Sequence, residues 1–137
     1  MARRTETGQA VAELAMVLPV LLLILLGCLD LGRAFYVWMA LANGSREGAR
    51  YACLYPTDAN GALNTNAIIL QAQADILAEG LSTDALEVTV SAPSGTANGS
   101  PIIVTALYRL PAATSYLFGG RPLTIKAATE MLIIGGS

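Results

Sequence analysis

Apolar residues are spread unevenly along this chain. After a short polar stretch, MARRTETG, comes the run QAVAELAMVLPVLLLILLGCLDLGR. From Leu14 to Leu29 there are 16 residues without a charge, eight of them Leu. With Gln9 to Ala12 before it and Leu31 to Phe35 after it, the run is long enough to cross the hydrocarbon of a bilayer as a helix. It is long for a cleaved secretory signal and no good A-x-A site follows, so it is expected to stay in the mature protein. The residues beyond, through SREGARYA, remain helix formers, which extends one helix from near Gln9 to near Ala52.

The pattern then shortens. Tyr55 to Gly61 has loop composition. Asn66 to Glu79 reads as a second helix, with Ile69, Ala72, Ile76 and Leu77 on one face, Gln71, Gln73, Asp75 and Glu79 mostly outward, and Gly80 as the stop. Leu86 to Ser91 alternates with period two, as a half-buried strand does. Ile102 to Leu110 and Leu123 to Ile133 read as two more strands, separated by turn-rich segments at Pro93–Pro101 and Gly119–Pro122. The expected fold class is α+β: a long N-terminal helix, a second short helix and a small three-stranded antiparallel sheet packed on the long helix's C-terminal half. Without that cover the sheet would expose a large apolar side. The expected division is a leader at residues 1–8, a transmembrane and assembly helix at 9–35, and an extracytoplasmic α+β domain at 36–137.

Composition narrows the chemistry. The chain has 137 residues, 54% hydrophobic and 13% charged, and the apolar excess lies mostly between Val11 and Leu54. A net charge of −2 without a basic run does not suit nucleic acid. There is no histidine, which removes Ser-His and Cys-His nucleophile schemes and most zinc sites. No metal site, cofactor or small-molecule substrate is expected, and no enzyme activity. Asp58-x-Asn60-Gly61 opens like a calcium loop but lacks the rest of the ligand series, so a plain turn is favoured. Asn43-Gly-Ser45 and Asn98-Gly-Ser100 are read as turn or helix-end chemistry. Cys28 and Cys53, on one helix, lie roughly 37 Å apart and cannot bridge each other; both are expected as free thiols, with an intersubunit bridge through Cys53 as the lesser alternative.

Several residues on the long helix carry more than packing. Glu13 is a carboxylate inside an apolar segment, which costs about 2.5–3.5 kcal/mol at mid-membrane and less near an end. It lies five residues after Gly8. A cut after Gly8 would leave Gln9 as the new N-terminus, and its α-ammonium, one turn from Glu13 or on a neighbouring helix, could neutralise that acid. Pro19 removes a backbone donor inside the helix, as a functional loosening or as a tolerated kink. Asp30 and Arg33, three apart, are expected as a snorkelled ion pair at the membrane exit, and Glu47 and Arg50 pair likewise. Phe35, Tyr36 and Trp38 sit where aromatic rings favour the membrane interface, or are core. Gly44 and Gly48 form a G-x-x-x-G spacing that suits a close helix contact or the groove where the domain packs back. The short basic head, Arg3 and Arg4, favours a cytoplasmic N-terminus, although Arg33, Arg46 and Arg50 stand on the other side.

The arrangement of basic leader, Gly8, Glu13 and an apolar helix resembles a type IV prepilin. More closely, GQAVAELAMVLPVLLLILLGCLDLGR, from Gly8 to Arg33, and SREGARYA, from Ser45 to Ala52, resemble the TadE-like family of minor pilins, or pseudopilins, of the tight-adherence (Flp-type) pilus. That family often has an aromatic directly after the Glu; here Leu14 stands there. The resemblance implies cleavage between Gly8 and Gln9 by a prepilin peptidase of the aspartyl membrane type. It implies assembly through Glu13 and Pro19, with other pilin subunits, an inner-membrane assembly platform and the lipid bilayer as partners. It also implies a single-pass inner-membrane location, or a pilus after assembly. The alternatives are an uncleaved membrane-anchored structural or binding subunit of a secretion envelope and, less favoured, an anchored periplasmic enzyme.

Overall fold

The structure, a computed structural model, describes residues 3–114 and 119–135, with side chains from residue 8 onward. Met1, Ala2 and the side chains of Arg3 and Arg4 lie outside the described residues. The element order is α1 (Arg3–Leu54), α2 (Thr65–Ala78), a short 3-10 turn (Thr83–Ala85), β1 (Leu86–Ser91), β2 (Pro101–Leu110) and β3 (Leu123–Leu132). The α+β architecture expected from the sequence is therefore present. Element bounds differ from the sequence reading by one or two residues, except at the start of α1, where the helix runs unbroken through Gly8 and Pro19.

The three strands form an antiparallel meander in the order β1-β2-β3. Leu86 pairs with Tyr108 and Ser91 with Ile103; Pro101 pairs with Leu132 and Leu110 with Leu123. The central strand shows the cleanest alternation: Ile102, Val104, Ala106, Tyr108 and Leu110 are buried, and their neighbours point to the other face. Val88, Ile125 and Ala127 extend this apolar face onto the flanking strands. The opposite face is mixed: Glu87, Thr89, Lys126 and Glu130 are exposed there, beside half-buried Ile103 and Leu107. The C-terminal half of α1 lies against the apolar face and α2 packs on α1, so two helices cover one side of the sheet.

The contact between α1 and α2 depends on missing side chains. A Cβ at Gly44 would lie 2.8 Å from the carbonyl oxygen of Ala72 and collide with Ile76; one at Gly48 would meet the Ala72 Cβ at 2.8 Å. The G-x-x-x-G pair therefore serves the groove in which the domain packs back. On α2, Ile68, Ala72 and Ile76 are fully buried. This corrects the expected face: Ile68 takes the central position and Ile69 and Leu77 are half-buried at its flanks. Beside the glycines, Ser45 is fully buried and shares a 2.8 Å hydrogen bond with the Thr129 hydroxyl, which ties α1 to β3.

The end of α1 is also closed by tertiary contact. A helix leaves its last carbonyls without partners. Here the backbone N–H groups of Ile134 and Gly135 donate to the Cys53 carbonyl at 3.0 and 2.8 Å, and Ile133 is buried beside them. Cys53 is buried and Cys28 exposed, both as free thiols. Burial pushes the Cys53 thiol up from its ordinary pKa.

Candidate assembly surface

The N-terminal half of α1 is a bare apolar rod. Val11, Leu14, Met16, Val17, Leu21, Ile24 and Leu29 are each more than half exposed. This segment is long and apolar enough to cross a membrane. Such an exposed apolar surface is consistent with a membrane anchor. Residues 9–29 span roughly 31 Å at 1.5 Å per residue, the thickness of a bilayer's hydrocarbon.

Gly8 and Gln9 lie on this rod, exposed, and among the described residues nothing stands within 4 Å of the Gly8 Cβ position. Glu13 is exposed among the apolar residues, and its Oε1 accepts a hydrogen bond from the Gln9 side-chain amide at 3.1 Å. Residues 9 and 13 thus meet on one helix face, one turn apart. Pro19 is exposed within the continuous helix.

The expected membrane-exit residues separate into two kinds. Phe35 and Trp38 are about half exposed and their rings stack at 6.0 Å between centroids. They stand directly above the rod, where aromatic rings prefer the interface. Tyr36 is different: its hydroxyl donates to the Glu79 carbonyl at 2.7 Å and so ties α1 to the end of α2. Partial desolvation, then the hydrogen bond and charge of Glu79, raise its phenol above the ordinary value.

Asp30 departs from the expected pairing. Its carboxylate is buried and accepts three hydrogen bonds from the segment after β2: from the Ala113 backbone N–H at 2.9 Å, from the Thr114 backbone N–H at 2.7 Å and from the Thr114 hydroxyl at 2.7 Å. Arg33 approaches only to 3.9 Å, and its guanidinium also reaches the Pro111 carbonyl at 3.4 Å. Asp30 is therefore first a clamp for a distant loop and only second an ion-pair partner. Arg33 adds a second tie to the same loop. Neither Ala113 nor Thr114 carries a sequence signal for this role, because they lie 83 and 84 residues away from Asp30.

Two other polar groups resolve as local structure. The Asp58 Oδ1 accepts from the backbone N–H groups of Asn60 and Ala62 at 2.8 and 3.0 Å, which is the Asx-turn geometry of a plain turn. Glu47 and Arg50 form the expected pair at 2.7 Å. The Arg50 hydrogen bond, opposed by partial desolvation, holds the Glu47 carboxyl below its ordinary range.

Residues 8–50 match the family model described as TadE-like protein. The match covers the exposed rod, the Asp30 clamp and the small-residue groove of α1, and it stops four residues short of the helix end. It bears out the resemblance drawn from Gly8, Glu13 and the Leu-rich run. It points to a pilin-like protein related to the tight-adherence pilus, and to a structural rather than an enzymatic family. No curated protein and no solved structure shows significant similarity to the chain.

Proposed function

We propose that this chain is a minor pilin or pseudopilin of a tight-adherence pilus. In this reading residues 9–35 enter the membrane with the N-terminus on the cytoplasmic side. A prepilin peptidase cuts after Gly8, and the helix then packs with other pilin subunits at the inner-membrane assembly platform. The observation that carries it is the lone acid Glu13 on an otherwise apolar, unpartnered rod, one turn from Gln9, within the TadE-like match. Cleavage would replace a neutral neighbour by an ammonium, and in a medium of low dielectric that charge is a much better partner for the acid than an amide.

The same arrangement explains why the acid belongs near the helix end. There it can be tolerated in the bilayer before assembly, while a neighbour's new N-terminus can still set the axial register between helices. The domain supports the minor-subunit role, because a sheet and a second helix packed on α1 make a body far larger than a bare helix.

The mass of the N-terminus in protein isolated from cells tests the reading directly. Loss of residues 1–8 is expected, and Gly8→Val is expected to retain them, because a side chain at that position obstructs a narrow peptidase site. Glu13→Ala is expected to insert into membrane and to abolish its incorporation into pili. A mature protein that still begins at Met1 would favour the uncleaved anchored subunit instead. Wild-type pilus incorporation of Glu13→Ala would remove the role given to the acid.

A further inference from the structure

We propose that the back of α1 is a self-association face: two copies of this chain pair side by side and parallel through Cys28, Gly32, Phe35 and Met39, with their domains turned outward. This inference rests on the reading above, in which the helix packs with other subunits. It adds the identity of one partner, a second copy, and the face that meets it.

Helical periodicity fixes the face. Val37, Leu41, Gly44 and Gly48 turn towards α2 and the sheet. At 3.6 residues per turn, Cys28, Gly32, Phe35 and Met39 recur at i, i+4, i+7 and i+11 on the side away from those four. Phe35 and Met39 are 60% and 46% exposed, and Cys28 and Gly32 are exposed with them. The same phase runs down the rod through Leu21, Val17 and Leu14, each more than half exposed. The rod is apolar on every side, so the choice of side is made above it, where α2 and the sheet cover the front of the helix.

Charge favours a second copy on this face. Between Leu14 and Arg46 the charged residues are Asp30 and Arg33. Both are turned to the segment after β2, Asp30 to Ala113 and Thr114 and Arg33 to Pro111. Two copies can therefore lie together over this length without opposing like charges. Arg46 is exposed in the same phase. Two copies would set it against its own equivalent, so the contact ends below Arg46 and the helices part there.

Shape agrees with charge. Among the described residues nothing stands within 4 Å of the position that a Gly32 Cβ would take. With Cys28 one turn before it, Gly32 makes a step of small residues on which a second backbone can come close. Phe35 follows at once and meets its equivalent across the pair, where two rings can stack. A two-fold axis along the helices makes the contact the same patch on both copies. It leaves both N-termini on one side, as a shared membrane requires, and it places the domains on opposite outer sides.

The test uses the full-length chain in phospholipid vesicles at high lipid excess, oxidised with copper phenanthroline and read on non-reducing gels and by mass. The wild type is expected to give a species of twice the chain mass, and Cys28→Ser to give none. In the Cys28→Ser background, Met39→Cys is expected to restore the link. Leu23→Cys and Leu29→Cys, exposed but off the face, are expected to link several-fold less. Gly32→Leu is expected to lower linkage through Cys28 several-fold, with circular-dichroism melting of the domain unchanged. Equal linkage at Met39, Leu23 and Leu29 overturns the proposal, because random collision in lipid gives that result. Wild-type linkage in Gly32→Leu, or a linked species in Cys28→Ser, overturns it as well. A chain that inserts but stays monomeric overturns this proposal and leaves the pilin reading standing. A chain that fails to enter the vesicles overturns both.

Discussion

The two halves of α1 belong to one continuous helix and have opposite fates. Between residues 8 and 29 the helix is bulky, Leu-rich and bare. From Val37 to Cys53 it narrows to Ala, Gly and Ser on one face, and that face is buried under α2 and the sheet. The difference is one of shape. Small residues let another backbone come close, and burial follows inside the molecule. Large branched residues all round a helix leave no preferred side, and such a helix is satisfied by a surrounding medium or by several neighbours at once. The uncharged run marks the bare half, and small side chains mark the face of the other half that packs into the domain.

Truncation on each side breaks this comparison most sharply. Ile76→Ala removes a side chain that is fully buried between the helices, and is expected to destabilise the domain by about 2–5 kcal/mol. Ile24→Ala, on a residue 59% exposed, is expected to leave domain melting in detergent unchanged. Equal effects in thermal melts of the two variants would mean that the halves are not distinct.

Adding a methyl sharpens the comparison at smaller scale. Gly44→Ala places a Cβ against Ala72 and Ile76 and is expected to cost about 1–3 kcal/mol through overpacking. Gly32→Ala meets nothing within 4 Å among the described residues and is expected to be neutral or slightly stabilising, since Ala is the better helix former. Matched melting curves for the pair would contradict the close α1–α2 approach.

The smallest expected effect is electrostatic and lies on the exposed edge of the buried half. The Glu47 carboxyl is held below its ordinary 4.5 by Arg50. Its contribution is present above that value and is lost as pH falls through the lower folded-state value. The melting temperature of the wild type is expected to exceed that of Glu47→Gln slightly at neutral pH, and the gap to close in acid. Because the Arg50 side chain is 67% exposed, added salt is expected to shrink the gap as well. A gap that widens in acid would reverse the assigned sign.

Much of the architecture was legible because it rests on local pattern. Period-two alternation placed β1 at Leu86–Ser91 without error and β2 and β3 within one residue. The bare rod, Gly8 and Glu13 were legible for the same reason, since charge and length within one short segment carry the signal. Choices between neighbouring residues were less so. Ile68 and Ile69 are equally apolar, and only the position of the α1 glycines decides that Ile68 points inward. Tyr36 sits between two interface aromatics in sequence, yet its hydroxyl finds the end of α2.

The sequence by itself determined the elements, the apolar rod and its lone acid, because these depend on residues within a few turns or a few strand positions of each other. Only the tertiary structure decided the partner of Asp30 and the use of Gly44 and Gly48. Each of these joins groups from distant parts of the chain, and such contacts exist only once the sheet has docked on α1. A buried carboxylate must be hydrogen-bonded, and which donors it finds depends on what the fold brings to it. The donors here are two backbone amides and a hydroxyl from the loop after β2, and their identity follows from the meander's register and not from any local spacing.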